Sequence, residues 1–215
     1  KLIMALSKID VANMLTGTAP VANGGTGVTS VDAIGNLVKI SSQTISNGTA
    51  SVEFTSGIDS TYRIHIFRYN AIDSGGGNTE LTFAPSTSND GTGYGIATTC
   101  SFASAYAQEG GTSSALQNEG SYDSHNDAGN IPLSRANGTG SDEIQSMDMT
   151  CYDWANTTHV KPFRAVSVGH HQADYSIMNF VGGFVNTTSA IQSIRFKLNS
   201  GTLNGGVITL YGVRT

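Results

Sequence analysis

Few stretches of this sequence combine the residue types that metal or acid–base chemistry requires. His170-His171-Gln-Ala-Asp174 is the one histidine–carboxylate cluster. Adjacent histidines on a strand point to opposite faces, so one metal ion cannot easily take both, although on a loop it could. A solvated loop is the preferred reading. Asp123-Ser-His-Asn-Asp127 has the oxygen-rich character of a Ca²⁺ loop. It lacks the glycine at the sixth position and the closing bidentate glutamate, so it fails as an EF-hand. No G-x-S-x-G nucleophile elbow occurs. Gly75-Gly76-Gly77 is followed by neither Lys-Ser/Thr nor a helical pattern, so it is not a phosphate loop. Glycoside cleavage needs two carboxylates that flank one bond. Asp142, Glu143, Asp148 and Asp153 could be put forward, yet any acidic surface offers as many. The expectation is a protein that is not an enzyme, with no catalytic residue, no metal and no cofactor.

Binding chemistry is better represented. A sugar needs an apolar ring to stack on and hydrogen-bonding groups at its edge. Trp154 is the only tryptophan, and Tyr94, Tyr106, Tyr122 and Tyr175 fall at or near strand ends and loops. Tyr122 with Asp123, Asn126 and Trp154 is the candidate receptor-binding set. The competing reading makes Trp154 and most of the tyrosines packing residues of a core or interface.

The elements that would position these residues are strands. From Leu37 onward the hydrophobic period is two. Strands are expected at Leu37–Ser46, Ala50–Thr55, Thr61–Tyr69, Thr79–Ala84, Gly93–Gln108, Glu143–Trp154, Val160–Val168, Tyr175–Val185, Ile191–Leu198 and Val207–Arg214. Tyr62, Ile64 and Ile66 share one face, with Arg63 and His65 on the other. Ile194, Phe196 and Leu198 alternate with Arg195 and Lys197, and Met147, Met149 and Cys151 with Asp148 and Thr150. Glycine- and asparagine-rich turns punctuate the strands, and no helix-length pattern interrupts them. These signals predict an all-β, antiparallel β-sandwich of the jelly-roll type over residues 37–215. The final strand is expected inside a sheet, because both of its faces are apolar. The stretch Glu109–Ser141 breaks the rhythm and reads as a long polar loop, either functional or simply solvated.

The first 36 residues differ. Ser7-Lys-Ile-Asp10 has the form of a capping box, and a short helix over Ser7–Leu15 is expected, followed by a glycine-rich run. This segment is too small to hold a core of its own. Leu6, Ile9, Val11, Met14 and Leu15 would be buried by trimerisation, with Gly24, Gly25 and Gly27 letting backbones come close.

Composition bounds the partners. Only 13% of the 215 residues are charged and the net charge is −5, with 11 basic residues scattered and forming no run. Nucleic acid needs clustered Lys and Arg, so it is excluded as a partner. No apolar stretch approaches the length that spans a bilayer, so membrane insertion is not expected. Cys100 and Cys151 fall in strands and read as buried thiols rather than a bridge.

Two stretches carry a family resemblance. Met14-Leu-Thr-Gly-Thr-Ala-Pro-Val-Ala-Asn-Gly-Gly-Thr-Gly27 resembles the T-G-x-x-P-V-A-x-G-G-T-G element of bacteriophage tail-fibre proteins. Phe184-Val-Asn-Thr-Thr-Ser-Ala-Ile-Gln-Ser-Ile-Arg-Phe196, with Ser200-Gly-Thr-Leu-Asn-Gly-Gly-Val-Ile-Thr-Leu-Tyr-Gly212, is similar to the ending of β-sandwich modules in fibre and receptor-binding proteins of marine and environmental phages. The resemblance implies a homotrimeric virion protein on the particle surface. Its N-terminal segment would attach to other virion proteins, and its sandwich would recognise a host cell-surface glycan. It carries no named binding residues. The alternatives are a purely structural virion component, such as a head fibre, decoration or adaptor, and a polysaccharide depolymerase.

Overall fold

The computed structural model describes residues 36–214. The expected helix over Ser7–Leu15 and the trimer residues Leu6, Ile9, Val11, Met14, Leu15, Gly24, Gly25 and Gly27 lie outside the described residues.

The described chain is an antiparallel β-sandwich. Its strands are β1 (Leu37–Thr44), β2 (Val52–Phe54), β3 (Ile64–Ser74), β4 (Leu81–Ser86), β5 (Thr98–Gln108), β6 (Ser114–Asn118), β7 (Ser124–Asp127), β8 (Ile131–Pro132), β9 (Gln145–Tyr152), β10 (Lys161–His171), β11 (Tyr175–Val185), β12 (Ser193–Leu198) and β13 (Leu203–Val213). The smaller sheet runs β2-β12-β4-β8. The larger runs β1-β13-β3-β9-β10-β11-β5-β6, with β7 also paired to β5.

This order contains a complete eight-strand jelly roll. The quartet β1-β13-β3-β9 belongs to one sheet and β2-β12-β4-β8 to the other. Strands one to four of the chain alternate between the two quartets, as do the last pair, β12 and β13, which gives the double Greek key. Two insertions lengthen the larger sheet. One is the hairpin β10–β11, placed between β9 and β12. The other is β5, β6 and β7, placed between β4 and β8. The insertions pair with each other through β11 and β5 over eleven residues, from Tyr175 opposite Gln108 to Val185 opposite Thr98.

The core fills the space between the sheets. Phe54, Phe67 and Phe196 form one aromatic cluster, with centroids 5.3 to 6.4 Å apart. Phe83, Phe163 and Trp154 form another, with Phe83 4.9 Å from Phe163 and 6.5 Å from Trp154. The expected alternations on β9 and β12 hold: Met147, Met149 and Cys151 are buried, as are Ile194, Phe196 and Leu198. Both cysteines are free and buried. β13 lies between β1 and β3, so the last strand is interior to its sheet.

The expected split of β3 holds, with Ile64 and Ile66 on one face and His65 on the other. The inward residues are His65, Phe67 and Tyr69, all fully buried, while Ile64, Ile66 and Arg68 lie on the other face and are half-buried. The larger rings of Phe67 and Tyr69 claim the core, and His65 goes with them because a strand's faces alternate strictly. One expectation is corrected: Glu109–Ser141 is not an unstructured surface loop. It carries β6, β7, β8 and a single 3₁₀ turn at Gly120–Tyr122. Its return leg is buried at Ile131, Leu133, Ser134 and Asn137. The Leu133 amide donates to the Leu81 carbonyl at 2.7 Å, and the Asn137 amide to the Thr79 carbonyl at 2.7 Å. Ser134 Oγ accepts the Leu81 amide, and Asn137 Nδ2 donates to the Thr79 carbonyl. Polar side chains here satisfy buried backbone groups that would otherwise carry a desolvation cost.

Candidate functional site

The inward face of the larger sheet loses its cover toward one end of the inserted strands. Along β5, Cys100, Phe102 and Ser104 are buried, Tyr106 is half-buried and Gln108 is exposed. Cross-strand pairing brings other residues beside Tyr106 on this face. Ile177 of β11 pairs with Tyr106, Ala115 of β6 pairs with it from the other side, and Tyr175 pairs with His171 of β10. The result is a hollow of about 210 Å³ lined by Tyr106, Gln117, Arg135, His171, Tyr175 and Ile177.

Aromatic rings form one wall. Tyr106 and Tyr175 meet edge to face at 5.3 Å, and His171 meets Tyr175 edge to face at 5.7 Å. Polar groups form the other wall and are held by their own neighbours. Glu119 Oε1 accepts from Ser104 Oγ at 2.6 Å and Gln117 Nε2 at 2.6 Å, and it pairs with Arg135 Nη1. The Arg135 backbone is pinned through its carbonyl, which accepts from Gln145 Nε2 at 2.9 Å. Gln117 lines the hollow, and with its Nε2 engaged its Oε1 keeps acceptor capacity. His171 Nδ1 accepts the Ala173 amide at 3.0 Å, so the neutral ring carries its proton on Nε2 and can donate. Burial, with help from the charges of Arg135 and His170, pushes the His171 pKa below its ordinary value, so the ring is neutral at pH 7.

The surroundings carry more acid than base. Glu119 pairs with Arg135, Glu109 lies 3.2 Å from His170, and Glu80 and Glu143 sit close enough to act electrostatically on this cluster. Burial raises the Glu80 pKa, a shift partly offset by the Tyr122 hydroxyl. Arg135 is therefore already paired with a carboxylate.

The residues singled out from sequence are not brought together as one site. Trp154 is fully buried, packed on Phe83, and its Nε1 donates to the Pro162 carbonyl at 2.9 Å. It offers no ring face to a ligand. Tyr122 is half-buried, 5.2 Å from the Phe102 ring and with the Arg135 guanidinium 5.4 Å over it. It supports Arg135 from behind. Asp123 Oδ1 accepts the Phe102 amide at 2.7 Å, which secures the turn to β5. Asn126 is exposed at a left-handed φ of 72°, and its Oδ1 accepts from Asn186 at 2.7 Å. Glu143 caps a turn through the Gly140 amide, while Asp148 and Asp153 form forked pairs with Arg68 and Arg63. Among the described residues no group of three or more His, Cys, Asp or Glu side chains is placed to hold a metal ion.

Sequence reading marked Tyr106 and Tyr175 only as residues near strand ends, and it missed Gln117 and Arg135. The register of β11 on β5 joins the two tyrosines, and that pairing spans most of the inserted chain. A larger hollow of about 400 Å³ is lined by Thr55–Asp59, Asn89 and Gln192 among others, and has no aromatic ring in its wall. Comparison of the chain with protein-family models, with curated proteins and with solved structures finds no match in any of the three.

Proposed function

We propose that this chain is the binding module of a bacteriophage virion appendage, and that the hollow at the open end of its larger sheet takes a neutral saccharide of the host surface. The observation that carries this reading is the Tyr106–Tyr175 pair standing beside a free acceptor on Gln117 and a donor on His171. A pyranose presents an apolar face to such rings and hydroxyls to such groups. The low charge of the chain and the local surplus of carboxylates support a neutral ligand. The fibre-like N-terminal element supports a place on the particle surface, with residues 1–36 attaching to other virion proteins.

A single site of this size binds weakly, on the order of millimolar, or about 4 kcal/mol. Several copies on one particle would raise the effective affinity without new contacts. The test is adsorption of the purified chain to host cells, with Tyr106→Ala and Tyr175→Ala as variants. Each variant is expected to lose at least five-fold in binding while keeping the circular dichroism of the wild type. Wild-type binding by both folded variants would remove the site. No adsorption by the wild-type chain would instead favour a purely structural virion component.

A further inference from the structure

The larger sheet has a second face, turned away from the smaller sheet, and its most exposed apolar residues gather at one end. Over β3, β9 and β13 that face carries Arg68, Asp148, Thr150 and Thr209 beside half-buried Ile64, Ile66 and Tyr211. Over the inserted strands its middle rows are apolar, with Ser101, Ser114, Asn118 and Ser176 around them. Val168, Met178, Ala105 and Leu116 form one cross-strand row, and Val166, Phe180 and Ala103 the next. Phe180 is 40% exposed, Met178 37% and Leu116 75%. An antiparallel sheet that faces water on one side normally places polar residues there.

Two further features mark the face. Gly182 follows Phe180 on the same side of β11, and a Cβ built on it would meet nothing within 4 Å. The folded chain therefore has no local need for glycine at this position. A strand glycine without such a need marks a place where another backbone comes close. The second feature is a hollow of about 220 Å³ on the same face, lined by Arg68, Asn70, Ser146, Asp148, Val166 and Val168. It opens beside the bulge in β3, where Ala71 takes a φ of 58° and the register with β9 shifts between Tyr69 and Ile72. A ridge and a hollow thus occupy one surface.

We infer that this face joins the chain to a second copy of itself, with Phe180 of one copy filling the hollow beside Arg68 and Asp148 of the other and with the strands approaching at Gly182. The area is sufficient. β5, β10 and β11 are eleven residues long. At about 3.4 Å per residue and 4.8 Å between strands, the face from β6 to β9 covers on the order of 800 Å², which is what each partner contributes to a standard stable interface. Full charge on the outward side of these five strands is confined to Asp148, which Arg68 neutralises at 2.7 Å, and Arg164, which stands opposite Gly182 and needs an acceptor on the other copy. Ridge and hollow on one face let each copy offer the one and accept the other. The saccharide hollow is on the opposite face of the same strands and stays open.

The experiment is sedimentation velocity of the full-length chain across micromolar concentrations, with Gly182→Arg and Phe180→Glu as variants. Phe180 is exposed and a Cβ at Gly182 meets nothing within 4 Å, so both variants should keep the wild-type circular dichroism. The wild type is expected to sediment as an oligomer, and each variant to raise the dissociation constant at least ten-fold. A wild-type chain that stays monomeric overturns the inference. So do folded variants that associate like the wild type, an outcome that moves the contact elsewhere without touching the saccharide site.

Discussion

Trp154 and the Tyr106–Tyr175 pair both serve the inward side of the larger sheet, and they meet different surroundings. Trp154 stands against Phe83 of the smaller sheet, fully covered, with its one polar atom bonded to the Pro162 carbonyl. The two tyrosines stand on inserted strands where cover falls away, and they stay half-buried around a hollow. The jelly-roll quartets spend their aromatic residues on packing. The insertions lengthen one sheet without lengthening its partner, and this mismatch leaves aromatic surface available for a ligand. Local sequence does not distinguish the two cases. What decides is whether a strand of the opposite sheet lies above the ring.

The largest effect that tests this contrast is on stability. Trp154→Ala should cost about 4 kcal/mol, because it removes a fully enclosed indole and leaves a cavity. Tyr106→Ala should cost about 1 kcal/mol, since its ring is partly in water already. Urea denaturation of the two variants measures the difference. Equal losses would mean that the open end is packed as tightly as the core.

Acid should separate the two ends next. His65 is fully buried on β3, and burial pushes its pKa below the ordinary value near 6.5. Neither ring nitrogen makes a well-formed hydrogen bond among the described residues, and the nearby Gly57 backbone and Asp59 only partly offset the effect of burial. The folded chain binds fewer protons than the unfolded chain here, so stability is full above pH 6.5 and falls as pH drops below it. His171 shifts in the same direction from a less buried position. The melting temperature should therefore be lower at pH 5 than at pH 7.5, and His65→Phe should flatten more of that dependence than His171→Phe. A larger effect at His171 would reverse the assignment of the core and open ends.

The sandwich itself was legible because alternation and turn residues are local signals. β9 and β12 show them plainly. On β3 the expected split, with Ile64 and Ile66 on one face and His65 on the other, holds; which face is inward is settled by Phe67 and Tyr69, while the bulge that turns Ile72 inward has no local signal. The return leg of the long insertion was hidden by its composition. Ile131 and Leu133 are two apolar residues around a proline in a polar stretch, and their burial depends on bonds to Leu81 and Thr79 far back in the chain. The hollow was illegible for a related reason. Tyr106, Gln117, Arg135, His171 and Tyr175 come from separate elements, and only the β11–β5 and β6–β5 registers and the pinning of Arg135 by Glu119 bring them together.

The most direct test of the central claim is a map of chemical-shift changes in the isotope-labelled chain titrated with neutral host-surface oligosaccharide. The account predicts changes centred on Tyr106, Gln117, His171 and Tyr175, with the Trp154 indole signal unmoved. Changes centred on Trp154 or on the outward Met178–Phe180 face, with Tyr106 and Tyr175 silent, would contradict it.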